Sequence, residues 1–295
     1  MYIWIAIFAH FLLALNGVAD KFLLSRAVRH PIAYAFYIGI TGILTWVLIP
    51  FGLKFLGPGD FLLALLGGGS FIVALYFLYV AIQATSISRV LPIEGGLVPV
   101  FTLGFAYAIL GERLTMTQLL AFGLLVGGAV LIALKKDRTG WRARALGSAL
   151  IAAFLFALSL TLTKYIFDQT NFVSGLVWTR LGFLLVSLSF LIPKQSRQYI
   201  FKAPRETTAG NKVLYYGTRL TGGLAGLLQN YAIAIGSVTI VNALQGTQYA
   251  LLLLLTIGLS KFYPKILREK ITPAILAQKI AAIVLISLGL VILTK

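Results

Sequence analysis

The sequence predicts an all-α integral membrane protein of ten transmembrane helices arranged as two inverted five-helix repeats. Three observations carry that class. The chain is 59% hydrophobic and 11% charged, with a mean hydropathy of +0.95, whereas soluble domains are roughly 45–50% apolar and about 25% charged. Polar breaks divide its 295 residues into ten apolar segments. Short stretches of the first half also recur, in order, in the second.

The segments run approximately over 2–24, 32–53, 61–83, 89–110, 116–134, 146–167, 173–192, 213–235, 238–260 and 274–293. Each is close to the ~20 residues that cross ~30 Å of hydrocarbon as a helix. Lipid offers no partner for backbone polar groups, so helix is the assignment for every one. Span 1 lacks a basic leader and is too long for the apolar region of a signal peptide. The "GGG" of span 3, residues 67–69, suits either a hinge or a close-packing surface. In span 4, Pro92 and Pro99 each remove a helix donor and Gly95-Gly96 permit close approach, so a kinked or discontinuous helix is expected. Gly111 ends that span, and Thr115 caps span 5 with Gln118 in capping-box position. Thr272 caps span 10, with Pro273 at the first helical position. Spans 5 and 10 hold few polar residues beyond Gln118, Gln278 and Lys279 and are expected at the periphery, with spans 1–4 and 6–9 around a cavity.

The net charge of +17 reflects membrane topology rather than nucleic-acid binding, because basic residues gather on cytoplasmic loops. Seventeen of the twenty-five Lys and Arg fall on one side of the ten-span arrangement and three on the other. The loop "KKDRTGWRAR" (135–144) is therefore expected in the cytoplasm, and both termini outside a multi-pass plasma-membrane protein. There is no cysteine, and His10 and His30 are the only histidines. Thiolate metal sites are excluded, a histidine metal centre is not expected, and no cofactor is implied.

The repeat is read from matched segments. "ALNGVADKFLL" (Ala14–Leu24) returns as "ALSLTLTKYIF" (Ala157–Phe167) at an offset of 143, which also aligns Tyr37 with Arg180 and Gly39 with Gly182. Glu94-Gly95 aligns with Gln245-Gly246 at 151, and "ERLT" (Glu112–Thr115) with "EKIT" (Glu269–Thr272) at 157. The halves are then 1–134 and 145–295, joined by the basic loop 135–144. An odd number of spans per half inverts the second copy. Inverted repeats are characteristic of secondary transporters, whose sites lie near midplane at the repeat interface.

Pro92, Pro99 and "LGERLT" (Leu110–Thr115), followed by "QLLAFGLLVGGAVLIAL", resemble the end of an EamA domain of the drug/metabolite transporter superfamily. The second half resembles it more weakly, since "LREKIT" has Arg268 where the glycine belongs. The resemblance implies a ten-helix transporter with a cavity shared by the halves, carrying a small polar or amphipathic metabolite, with export favoured. A flippase for a lipid-linked sugar is the alternative, and a non-transporting helper subunit a third. There is no Walker A run or HExxH motif, and no serine with a positioned histidine is evident, so the chain is not expected to be an enzyme.

Candidate pathway residues are the polar and charged groups inside spans. Glu94 lies about five residues, or ~8 Å, beyond Arg89. A charge at the bilayer centre costs at least ~2.5–3.5 kcal/mol, somewhat less at this depth, and marks a cavity or relay. Glu94 is expected to titrate and couple protons to transport. Arg180 is its expected partner; it stays charged and needs an anion, a wet cavity or cation–π contact with Trp178 or Tyr37. Lys21 and Lys164 are equivalent positions, as gates or as snorkelling ends paired with Asp20 and Asp168. Asn16, Asn230 and Gln245 are expected to line the cavity or bridge helices. His10 is expected to be packed and hydrogen-bonded. Glu112 is read as a turn residue. The expected partners are the small-molecule substrate, the bilayer and protons; oligomeric state is not legible.

Overall fold

The computed structural model describes residues 1–24, 30–84, 87–133, 143–202, 209–260 and 273–294. Among them the protein is helical, with no strand. The elements are α1 (Tyr2–Leu24), α2 (Pro31–Thr41) continued by a 3₁₀ segment (Gly42–Phe51), α3 (Pro58–Ala84), and α4 (Ile87–Phe105) ending in a π turn (Ala106–Leu110). Then follow α5 (Met116–Ala133), α6 (Ala143–Gln169), α7 (Phe172–Ser189), α8 (Lys194–Lys202), α9 (Ala209–Ile235), α10 (Val238–Ala243), α11 (Gln245–Ser260) and α12 (Pro273–Thr294). Every expected apolar segment coincides with one of these stretches, α10 and α11 together making the ninth.

Among the described residues, five stretches are long and apolar enough to cross a membrane: Pro31–Phe51, Pro58–Ala84, Ala143–Gln169, Phe172–Ser189 and Ala277–Thr294. Tyr2–Gly17, Glu94–Leu110 and Met116–Ile132 are shorter apolar helices.

The chain forms two compact units, each drawing on both sequence halves. One comprises Val28–Glu112 and Arg138–Thr207. At its centre α3 packs against α6 and α7, and α4 packs against α6. The "GGG" run is the reason α3 can approach two helices at once. A Cβ at Gly67 would lie 3.1 Å from Leu162 Cβ and 3.6 Å from the Ser159 carbonyl on α6. A Cβ at Gly68 would collide with the Thr179 carbonyl on α7, and one at Gly182 with the Leu65 carbonyl on α3. Missing side chains let backbones meet, which is how membrane helices pack without a hydrophobic driving force between them. The run is a packing surface rather than a hinge.

The other unit comprises Met1–Ala27, Arg113–Asp137 and Thr208–Lys295. Here α1 packs against α9 and α11, and α5 against α12. A Cβ at Gly128 would lie 2.9 Å from the Ala282 carbonyl, and one at Gly289 3.1 Å from the Ala121 carbonyl, so α5 and α12 also meet through glycines. Gln278 Nε2 donates to the Leu131 carbonyl at 2.7 Å.

The caps follow the sequence closely. Gly111 adopts φ +65° after the π turn, a left-handed conformation that glycine adopts without a Cβ clash. The Thr115 amide donates to Gln118 Oε1 at 2.9 Å, and the Gln118 amide to Thr115 Oγ1 at 3.3 Å, completing a capping box. Pro273 begins α12; Thr272 lies outside the described residues, as do loop residues 134–142. Two elements depart from expectation. α4 is helical throughout Ile87–Phe105, Pro92 and Pro99 included, so the span is not discontinuous at either proline. α8 lies between the expected seventh and eighth spans, in sequence that is too short and polar to register as a span.

Candidate functional site

α4 and α7 each set one charged residue into the interior of the first-described unit. Val90, Glu94 and Val98 stand four residues apart on one face of α4, the spacing that stacks side chains along a helix. Val90 and Val98 are buried in an apolar cluster with Ile72, Leu75 and Leu78 of α3 and Phe156 of α6. Glu94 is therefore aimed along the face that packs on α6, and it is half-buried there. Gly95 and Gly96 beside it are buried. Among the described residues no ion pair or hydrogen bond engages its carboxylate.

Arg180 reaches the same cluster from α7. Its guanidinium sits 4.1 Å above the centroid of Phe183, a member of that cluster. Phe71 of α3 stacks on Phe183 at 4.8 Å and 11°, and meets Phe156 edge-on at 5.2 Å. A series of rings thus runs from beneath Arg180 to α6. The expected cation–π partners were Trp178 and Tyr37, and the observed one is Phe183. Trp178 is two residues from Arg180 and so projects from another side of the helix, whereas Phe183 is three away and shares its face. A Cβ at Gly42 would lie 3.1 Å from Arg180 Cδ, so the 3₁₀ segment leaves room for this side chain.

The other candidates in this unit lie elsewhere. Tyr37 Oη donates to the Ile200 carbonyl at 3.0 Å, tying α2 to α8. Trp178 Nε1 donates to the Lys54 carbonyl at 2.9 Å and packs near Phe55 and Phe61. Around it Asn171 caps α7 through the Ser174 amide and donates to the Gly52 carbonyl, and the Lys54 amide donates to Ser174 Oγ. Trp178 thus belongs to a knot that fixes the loop entering α3. Lys164 pairs with Asp168 at 2.7 Å, the local i,i+4 pairing expected of a helix end.

The remaining candidates belong to the second-described unit. Asn16 is buried and accepts a hydrogen bond from Thr221 Oγ1 on α9. Asn230 donates to the Gly226 carbonyl one turn back on its own helix, at 2.7 Å. Gln245 donates to Tyr249 Oη at 3.1 Å. Lys21 lies on α1, but its side chain and that of Asp20 fall outside the described residues. His10 is buried with Nε2 3.1 Å from the Val241 carbonyl, as a packed imidazole.

Against this geometry, a family model for the EamA-like transporter family matches residues 1–134. That half of the chain is EamA-like. Members of that family are membrane transporters of the drug/metabolite transporter superfamily. A solved crystal structure matches 99% of this chain and 95% of its own, with TM-score 0.65 and 16% sequence identity. At that identity the likeness is one of fold. A comparison with curated proteins finds no match.

Proposed function

We propose that the chain is a secondary transporter that moves a small polar or amphipathic metabolite across the plasma membrane by alternating access. The observation that carries this reading is the EamA match over residues 1–134. Glu94 and Arg180 bordering one apolar cluster supply the site: Arg180 holds an anionic or polarisable group of the substrate, and Glu94 exchanges a proton. Outward movement is the favoured direction, on the family resemblance alone.

The reading includes ten spans in two inverted halves. Packing supports it. α1 and α6 are repeat mates at offset 143, and α1 packs on α9 and α11 while α6 packs on α3 and α4. Exchanging the halves therefore turns one set of contacts into the other. At residue level Gly67 lies against Ser159 and Gly222 against Asn16, with a Cβ-to-Nδ2 distance of 3.1 Å in the second contact; Asn16 and Ser159 are mates at offset 143.

Counterflow of labelled metabolites in proteoliposomes tests the function. Exchange of at least one small solute is expected. Flipping of a labelled lipid-linked sugar without any solute exchange would replace this reading with a flippase. For topology, a single cysteine at Gly140, in a chain that has none, should resist an impermeant label in intact cells; labelling would reverse the orientation.

A further inference from the structure

α3 is 27 residues long, about 40 Å at 1.5 Å per residue. Its start lies beside Trp178, through Phe61. At its other end, within the same unit, a cavity of about 630 Å³ opens between α2, α3, α6 and α8. Its polar lining includes His30, Gln83, Arg144, Gln195, Ser196 and Tyr199. His30 and Tyr199 stack with centroids 3.9 Å apart, and Gln195 Nε2 donates to Tyr199 Oη at 3.0 Å. That wall is held from two elements, since the Tyr37 bond to the Ile200 carbonyl pins α8 against α2.

The charge in this cavity is one-sided. Arg144 is its guanidinium, and none of its described lining residues is acidic. His30 and Pro31 stand at the start of α2, Arg144 in the first turn of α6, and Gln195 and Ser196 in the first turn of α8. None of those three first turns holds an acidic residue. Helix starts carry partial positive charge and point unsatisfied N–H groups outward. An arginine in such a turn opposes its own helix dipole unless an anion sits nearby. A phosphoryl group matches a guanidinium fork bidentately, as a carboxylate does, and keeps further oxygens for donors from other elements.

We propose that this cavity binds a phosphoryl group through Arg144, Gln195 and Ser196, at a site separate from Glu94 and Arg180. The group arrives either on a soluble phosphate ester or as the headgroup of an anionic phospholipid. The inference stands whether or not the transport reading does.

The test uses the purified full chain in phosphatidylcholine nanodiscs. Inorganic phosphate is titrated at constant ionic strength against chloride, and the melting temperature is followed. A second arm replaces part of the lipid with phosphatidylglycerol. A rise in Tm with phosphate assigns the site to soluble phosphates; a rise only with phosphatidylglycerol assigns it to the headgroup. In whichever arm responds, Arg144→Gln should weaken the response about tenfold, and Gln195→Glu should abolish it by placing a like charge in the cavity. Lys54→Gln, at the opposite end of the unit, should leave it unchanged. No response in either arm, or an equal response in Arg144→Gln and Gln195→Glu, overturns the proposal.

Discussion

Spans 4 and 9 align at an offset of 151, with Glu94-Gly95 upon Gln245-Gly246, yet their backbones differ. Span 4 carries two prolines and stays helical from Ile87 to Phe105. Span 9 has no proline, and its helix stops at Ala243 and restarts at Gln245. The interruption sits where Thr247 turns back: its amide donates to the Leu244 carbonyl at 2.9 Å and its Oγ1 at 2.7 Å. A side-chain hydroxyl that competes for a carbonyl disturbs a helix locally, and here it does so where two prolines elsewhere do not. The polar groups differ in parallel. Gln245 is satisfied by Tyr249 one turn on, whereas Glu94 lies along a face packed with apolar side chains. One half has a titratable acid in a continuous helix; the other has a neutral amide at a break.

The sharpest way to break this contrast is to make the two halves alike. Glu94→Gln should abolish accumulation driven by a pH gradient in proteoliposomes while leaving substrate exchange largely intact. Retention of full proton-driven transport would make Glu94 a structural acid. Next in size is a packing effect. Gly68→Val puts branched carbons against the Thr179 carbonyl and should cost about 3 kcal/mol, the upper end for overpacking. Gly223→Val, which meets nothing within 4 Å, should stay within about 0.5 kcal/mol. Denaturant unfolding in detergent compares the two, and equal losses would remove the special status of the α3–α7 contact.

Arg180→Ala should weaken binding of anionic substrates about tenfold, equivalent to about 1.4 kcal/mol, and neutral ones less. A uniform loss across substrates would mean that Arg180 supports the fold through Phe183 instead. The smallest effect is expected from Asn16→Ser, which gives α1 the residue that its mate α6 carries. Losing the bond from Thr221 should cost about 0.6 kcal/mol, typical of one interhelical hydrogen bond in a membrane protein. A loss of several kcal/mol would mean that the α1–α9 contact is not the counterpart of α6–α3.

Residues whose neighbours are close in sequence were readable before any fold was known. The Thr115–Gln118 box, the left-handed Gly111, the Lys164–Asp168 pair and the apolar limits of the ten segments all depend on spacings of five residues or fewer, or on hydropathy alone. The role of "GGG" was not readable, because a hinge and a close contact use the same residues and only the neighbouring helix distinguishes them. The ring beneath Arg180 was available in principle, since Phe183 stands three residues away. The expectation fell on Trp178 or Tyr37 without regard to helix face, and Trp178 instead fixes the loop before α3. α8 escaped because its nine residues hold three cations and only one short apolar run, Tyr199–Phe201. Its anchoring depends on Tyr37, more than 150 residues earlier, which no local pattern reveals.

The 3₁₀ continuation of α2 affects how this protein fits its membrane. Ten residues at roughly 2.0 Å each reach about 20 Å, against about 15 Å in α-helical form. With the eleven residues of α2 the second span extends to roughly 36 Å, longer than the ~30 Å of an average hydrocarbon layer. Rewinding the tail would shorten it by about 5 Å without changing a residue. Its far end is not free to follow, because Asn171 and Ser174 hold Gly52 and Lys54. In a thinner bilayer the span therefore cannot be matched by contraction alone, and tilt of α2 together with α7 becomes the available response.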